Sequence, residues 1–428
     1  MQNKSYIDPM VPGLMSGVSR LINLVTESTT LMVSSAGCLG ELHLQAGYHG
    51  EKLDCPMISP LIMENDIIFG MEERVNKIVQ NILATNNKKK ILFIVSSNTS
   101  EIIGEDYTSI ASSQANGDTK ILYIEGGNYS GDQFTGFERV LDKICLNIID
   151  GTLQKIDNSV NIIGIIGDEL SAEKDVDELT RLLSLADISI NCIFIKKGTT
   201  FDQLRRASQA RLNIVVNEEF GLSLAEKMKE MYNIPYVFVL PYGIKGTIDF
   251  INKVCNFFGK DEKGEKVLQD EINTLTPFLQ KALTYVYSSL NCIVSGDPSF
   301  AVGLSTILKE VGINPRLICL RSGPGDNLKQ ILDNLKSELD FCDLEIFVTN
   351  DYVEYINKIK TVADSVSIIF GSSLDQQIPY LCNGKLKVIE LSYPCWYEID
   401  KLENPIMGVN GIKNIAQRYG TFYNTNNF

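Results

Sequence analysis

Ile91-Leu92-Phe93-Ile94-Val95 runs through Ser96-Ser97 into Asn98-Thr99-Ser100-Glu101-Ile102-Ile103-Gly104-Glu105-Asp106. A short continuous apolar run has the length of a buried strand, and small hydroxyl residues followed by Ile-Ile-Gly-Glu-Asp read as a turn into a helix start. Strand, tight turn, helix is the repeating unit of a parallel α/β sheet, and such sheets place their sites at the turn. The question for function is what stands at position 98.

The same unit recurs on both sides. Leu31-Met32-Val33 and Ile121-Leu122-Tyr123-Ile124 read as strands, and a helix from about Phe137 to Ile149 aligns Val140, Ile144, Cys145 and Ile148 on one face. Val160 to Gly167 opens a second series. Helix 174–186, strand 188–195, helix 201–209, strand 212–216 and helix 222–232 follow; Asn233-Ile234-Pro235 ends the last of these before the strand Tyr236–Leu240. The polar segment Gly259 to Lys266 marks a boundary, and a long helix near 269–286 leads into a third series. Its strands begin at Asn291, Leu317, Glu345, Ser367 and Lys387. The expected architecture is α/β: three Rossmann-like domains over 1–150, 151–260 and 261–428, each a parallel sheet flanked by helices. No short-period repeat suggests a solenoid.

Composition excludes several classes. At 428 residues the chain exceeds one ordinary core. With 44% hydrophobic and 21% charged residues it reads as a globular protein; no apolar run approaches the ~20 residues of a bilayer crossing, and the start lacks the layout of a secretory signal. No membrane association and a cytoplasmic location are expected. A net charge of −14 disfavours nonspecific binding to nucleic acid. Lys88-Lys89-Lys90 reads as a solvated loop before a strand.

Cysteines stand at 38, 55, 145, 192, 255, 292, 319, 342, 382 and 395, with no Cys-x-x-Cys among them, which argues against a zinc ribbon or a ferredoxin-type cluster. Cys192, Cys292 and Cys319 fall in apolar runs and read as small core residues. His43 and His49 are the only histidines, so a multi-histidine centre and a Ser/His/Asp array are both ruled out. The glycine motifs Ile163 to Asp168 and Ser295-Gly296-Asp297-Pro298 sit at strand ends. Neither completes a Gly-x-Gly-x-x-Gly and no P-loop occurs, so both read as tight βα turns rather than phosphate sites. Trp396 and Tyr397 suit either packing under a C-terminal loop or the wall of a pocket for a flat substrate.

Taken in order, a set of segments is more specific than any one of them. It comprises Met10-Val11-Pro12-Gly13, Ser34-Ser35-Ala36-Gly37-Cys38, Met63-Glu64-Asn65-Asp66-Ile67-Ile68-Phe69-Gly70 and Ser130-Gly131-Asp132-Gln133-Phe134-Thr135-Gly136-Phe137. Ala210 to Ile214, Pro241 to Thr247, Phe370-Gly371-Ser372-Ser373, Ser392-Tyr393-Pro394 and Gly408-Val409-Asn410-Gly411 continue it. Together they resemble the nitrogenase component 1 family, over essentially the whole chain. The family includes the subunits of the molybdenum-iron protein, its cofactor-assembly scaffold and the dark-operative tetrapyrrole reductases.

The resemblance implies a beta-type subunit of a nitrogenase-like reductase. Such a subunit receives electrons from an ATP-dependent iron protein through a 4Fe-4S cluster shared with a homologous component 1 subunit. Family subunits offer cysteines to that cluster; the matching positions here are Met10, Cys38 and Asn98, leaving Cys38 as the candidate iron ligand. Thiolates are the donors such clusters need. Cys55, seventeen residues on, is a lesser candidate. Nitrogenase holds its iron-molybdenum cofactor with a cysteine shortly after the Leu-Asn segment and a late histidine. Here Leu212-Asn213 leads to Asn217 and no histidine follows His49, which speaks against dinitrogen reduction. His43, close behind Cys38, suits a helix surface or a place beside a cluster. No catalytic residue is assigned. Two alternatives stand beside this reading: a cluster-free scaffold or binding protein that keeps the component 1 fold, motivated by the loss of two ligand positions, and a nucleotide-sugar transferase on two Rossmann-like domains.

Overall fold

The computed structural model describes residues 10–48, 55–85, 89–113, 119–285, 290–338, 343–382, 384, 386–398 and 402–426. Thirteen strands among these form three sheets, parallel in every described pairing. The first contains β1 (Ser28–Val33), β2 (Met57–Ile58), β3 (Ile91–Ser96) and β4 (Lys120–Ile124) in the order β2-β1-β3-β4. The second contains β5 (Ser159–Ile163), β6 (Ser189–Phe194), β7 (Leu212–Val215) and β8 (Tyr236–Phe238), ordered β6-β5-β7-β8. In the third, β9 (Asn291–Gly296) is central: β10 (Asn314–Leu320) and β11 (Glu345–Val348) lie on one side, β12 (Ile368–Gly371) and β13 (Lys387–Glu390) on the other. The fold is α/β with helices against each sheet, as expected. β1, β3, β5, β7 and β12 are buried along their whole length, which is why they read as unbroken apolar runs.

Helix starts differ from the expectation where one polar residue sets them. The helix expected from about Phe137 spans Gln133–Asn147, because the Asp132 carboxylate accepts from Phe134 N at 3.1 Å and Thr135 N at 3.2 Å. Likewise Asn217 caps Glu218–Tyr232, accepting from Phe220 N at 3.1 Å. The segment 259–266 is a boundary only at its first two residues. Gly259, at φ 64°, closes the preceding helix, and the helix Asp261–Tyr285 starts at once with Asp261 and Glu262 in its first turn. Its polarity marks an exposed helical face, not a linker.

Apolar packing does not stop at the sheet boundaries. One core joins helix Leu14–Ile22, the first sheet, helix Gln133–Asn147 and helix Glu218–Tyr232; another joins the second sheet to the third. Helix Leu14–Ile22 is buried at all nine positions, and it lies close to Gln133–Asn147 because glycines face each other. A Cβ on Gly17 would stand 2.2 Å from Gln133 O, and one on Gly136 would stand 2.3 Å from Leu14 O.

After β13 the chain returns to the second sheet's helices. The terminal helix Gly408–Asn426 packs on Ala172–Leu185 and Gly243–Phe257, and Asp175 Oδ1 accepts from Ile406 N at 2.7 Å and Met407 N at 2.8 Å. Gly408 takes a left-handed φ of 71° where a Cβ would strike Glu178. Burial pushes the Asp175 carboxyl up to about 6. Its folded pKa lies above its unfolded value, so its contribution is full below about pH 4 and is lost as the pH rises through about 6. Asp175→Asn keeps an Oδ1 that can accept both N–H groups and removes the charge. The variant should gain on the wild type between pH 4 and 7, by on the order of 2 kcal/mol at the upper end. Paired thermal melts across that range check it; parallel curves would refute it.

Candidate functional site

In the first sheet the chain leaves β1 towards β2 on one side and later returns to β3 on the other, so the carboxyl ends of β1 and β3 flank a topological switch point. Open α/β sheets bind ligands at such a crevice. Here it is a pocket of about 310 Å³ lined by residues of four chain segments, among them Met15, Cys38, Ser97, Asn98 and Asn128.

Each segment is held by named bonds. The end of β1 is fixed by Ile62 N and Ser59 Oγ, which donate to Ser34 O at 3.1 and 3.3 Å. Helix Ala36–Tyr48 then begins, placing Cys38 in its first turn with an exposed thiol that accepts from Ser35 Oγ at 3.4 Å. At the end of β3, Glu101 Oε1 accepts from Ser96 Oγ and from Gly127 N, both at 2.7 Å. This draws the loop after β4 across the sheet end, and a Cβ on Gly127 would lie 2.0 Å from the Glu101 carboxylate. Asn128 N donates to Asn98 Oδ1, and Asn128 Oδ1 in turn accepts from Met15 N at 2.9 Å. Asn98 thus serves as a brace for the pocket wall.

Cys38 and Asn98 are therefore brought together, and Met10 is not. Met10 is 1% exposed and packs with Ile293, Leu317, Cys319 and Tyr355 under the third sheet. Met15, a residue that sequence reasoning passed over, lines the pocket with Cys38. Cys55 also stands apart: it is fully buried, with Ser28 Oγ donating to its sulfur at 3.1 Å and Thr30 Oγ1 within hydrogen-bond reach of it at 3.4 Å, and burial pushes its thiol up. It does not line the pocket. His43 lies exposed on the Cys38 helix with Nδ1 2.8 Å from Leu39 O. His49 lies outside the described residues. Tyr397 is exposed and Trp396 partly so, the latter anchored by its backbone N–H to Ser373 Oγ, and neither lines this pocket.

Large apolar side chains stand exposed on elements that follow the strands of the first sheet. Phe69, Tyr129 and Ile102 are 83%, 79% and 71% exposed; Met63, Ile67 and Ile68 are exposed near Phe69 in sequence, and Leu44 is exposed on the helix of Cys38. Leu44, Ile102 and Tyr129 stand on the elements that also carry the pocket residues Cys38, Asn98 and Asn128, and exposed apolar patches of this kind mark interaction surfaces. A larger cleft of about 430 Å³ lies away from the pocket, between helices Gly243–Phe257, Pro298–Glu310 and Asp326–Glu338. Its charges are already paired, Lys245 and Lys309 on Glu338 and Lys253 on Asp249.

A second cluster, also missed from sequence, ties the three sheets together. Arg20 is 6% exposed; its Nε donates to Asp168 Oδ2 at 2.7 Å, its Nη2 to Asp168 Oδ1 at 2.9 Å and its Nη1 to Gln133 Oε1 at 2.9 Å. The guanidinium lies 3.6 Å from the centre of the Tyr393 ring, and Gln133 Nε2 continues to Asp297 at 3.3 Å. Asp168 and Asp297, in the motifs read from sequence as tight βα turns, close contacts between sheets. Asn217, which the resemblance matched to the place of a cofactor cysteine, is a helix cap.

The sequence profile described as Nitrogenase component 1 type Oxidoreductase matches residues 14–422. The chain belongs to the nitrogenase component 1 type oxidoreductase family. It is similar to a light-independent protochlorophyllide reductase subunit from Zygnema circumcarinatum, 27% identical over 84% of this chain and 72% of that protein. The corresponding protein of Chlorokybus atmophyticus is 26% identical over 80% and 69%. Among solved structures, a nitrogenase component 1 chain (Nitrogenase Cp1 at pH 6.5) superposes with a TM-score of 0.84, covering 98% of this chain and 94% of that one at 17% identity. That likeness concerns the fold, and it extends over all three sheets. Family membership thus makes the chain a nitrogenase-like oxidoreductase subunit. Among the described residues no helix is long and apolar enough to cross a membrane.

Proposed function

We propose that this component 1 chain is the beta-type subunit of a nitrogenase-like reductase, and that Cys38 supplies one thiolate to a 4Fe-4S cluster completed by a homologous subunit. The supporting observation is the exposed Cys38 thiol in a switch-point pocket, with Leu44, Ile102 and Tyr129 exposed on the elements that line it. The donor set fits a shared site only. Among the described residues no group of three or more His, Cys, Asp or Glu side chains could hold a metal, and the lone Cys38 thiolate suits a site shared with another chain.

A cluster there would supply one-electron transfer from an ATP-dependent iron protein towards a substrate bound in the assembled reductase. The residues of this chain do the rest. Helix Ala36–Tyr48 aims its N-terminal turn, and with it the Cys38 sulfur, at the mouth of the pocket. Glu101, Asn98 and Asn128 fix the loops around it, so the donor is held before the partner arrives. A partner packed over the exposed Leu44, Ile102 and Tyr129 would exclude water from the site. A cytoplasmic setting keeps the thiol reduced.

Produced anaerobically with its genomic neighbours, the chain should purify with a second component 1 subunit and carry iron and acid-labile sulfide in equal amounts; produced alone it should carry neither. Absence of iron in every combination would leave the cluster-free scaffold as the surviving reading.

A further inference from the structure

Beside Cys38, the pocket wall holds a hydroxyl with nothing to bond. Ser97 is 2% exposed and its Oγ has no hydrogen-bond partner. Its neighbours differ. Ser96 Oγ donates to Glu101, while Ser100 Oγ accepts from Ser97 N at 2.8 Å and donates to Ser97 O at 3.0 Å. Ser97 is the N-cap of helix Asn98–Ile103, set in a capping box with Ser100 in which its Oγ faces the Ser100 N–H without completing a hydrogen bond, so its own O–H is left to donate. A buried hydroxyl left unpaired costs about 1–3 kcal/mol, so such groups are kept where a ligand satisfies them.

We propose that the Ser97 hydroxyl is a positioning residue whose O–H donates to a sulfur atom of the metal group held at Cys38. This rests on the preceding reading of Cys38 as a cluster ligand and adds how the chain tunes that cluster. The pocket already directs one hydroxyl at sulfur, from Ser35 to Cys38. Ser97 lines the same pocket from the end of β3, so the two serines approach from adjacent strands. A hydrogen bond to sulfur stabilises its negative charge, and because reduction adds charge, the donor favours the reduced state and raises the potential. Direct ligation by oxygen is disfavoured because soft sulfur donors hold these clusters.

The test compares wild type, Ser97→Ala and Ser97→Thr in the anaerobic complex with the partner subunit, reading iron and sulfide content and a redox titration followed by electron paramagnetic resonance. The expected result is unchanged iron, a more negative midpoint potential in the alanine variant and recovery in the threonine variant. Melting of the chain alone should stay equal or rise in Ser97→Ala, since an unpaired polar group is removed. An unshifted potential in an iron-loaded Ser97→Ala complex would overturn this inference and leave Cys38 untouched. Loss of iron in Ser97→Ala would overturn it too, showing the oxygen to be a ligand. A wild-type complex without iron would remove the Cys38 reading and this inference together.

Discussion

Cys38→Ala should strip the assembled complex of its iron and acid-labile sulfide while leaving the fold of the chain intact. Loss of a supporting partner around a metal ligand already costs about 10–100-fold in affinity, and loss of the ligand itself should cost more than about 100-fold. The thiol is exposed and its polar contact is the Ser35 hydroxyl, so the change in stability should stay within about 0.5 kcal/mol. Cys55→Ala should do the reverse. It removes a buried sulfur bonded to Ser28 and Thr30, so it should lower the melting temperature and keep the full iron content. Iron analysis and thermal melts on the two variants separate a metal ligand from a core cysteine. Full iron in Cys38→Ala would end the proposal that this sulfur touches the cluster.

Arg20→Ala should be the most destabilising single change in the chain outside the apolar cores. The guanidinium is buried with both of its Asp168 bonds, its Gln133 bond and its place on the Tyr393 ring. Pairing inside a low-dielectric junction offsets desolvation only while both partners are present. Removing one leaves the Asp168 carboxylate buried and uncompensated, a loss of about 3–5 kcal/mol. Lysine should not rescue it, since an ammonium offers neither the bidentate fork nor the flat face that stacks on Tyr393. Combining Arg20→Met with Asp168→Leu should recover part of the loss, because the Asp168 carboxylate no longer stands alone while Glu169, 4.0 Å from the guanidinium, still loses its partner. Denaturant unfolding of the four proteins decides the matter; an Arg20→Ala variant as stable as wild type would show that the junction does not depend on this pair. Because Arg20, Asp168 and Tyr393 come from segments against different sheets, the variant should also loosen the first sheet against the third and so disturb subunit pairing at the Cys38 face.

The sequence alone determined the architecture and the family. Strands in parallel sheets are covered on both faces, so β3, β5 and β9 appear as apolar runs that need no context to be seen. The ordered segments from Pro12-Gly13 to Asn410-Gly411 carry backbone demands that survive in the text, such as Gly136 against Leu14 and Gly408 at its positive φ. Helix starts at Asp132 and Asn217 were harder, since one capping side chain leaves no periodic trace.

Only the tertiary structure could separate Cys38 from Cys55, because a cysteine is small and apolar enough to suit either an open helix turn or a closed core. It placed Met10 under the third sheet rather than beside Cys38, and it gave Asn98 a bracing role instead of a ligand's. Arg20 reads in sequence as an ordinary charged residue on a short helix. Its importance comes from an acid 148 positions away and an aromatic ring still farther along the chain. Long-range charge pairing and burial are properties of the packed molecule, and they leave no mark on the residues next to them in the chain.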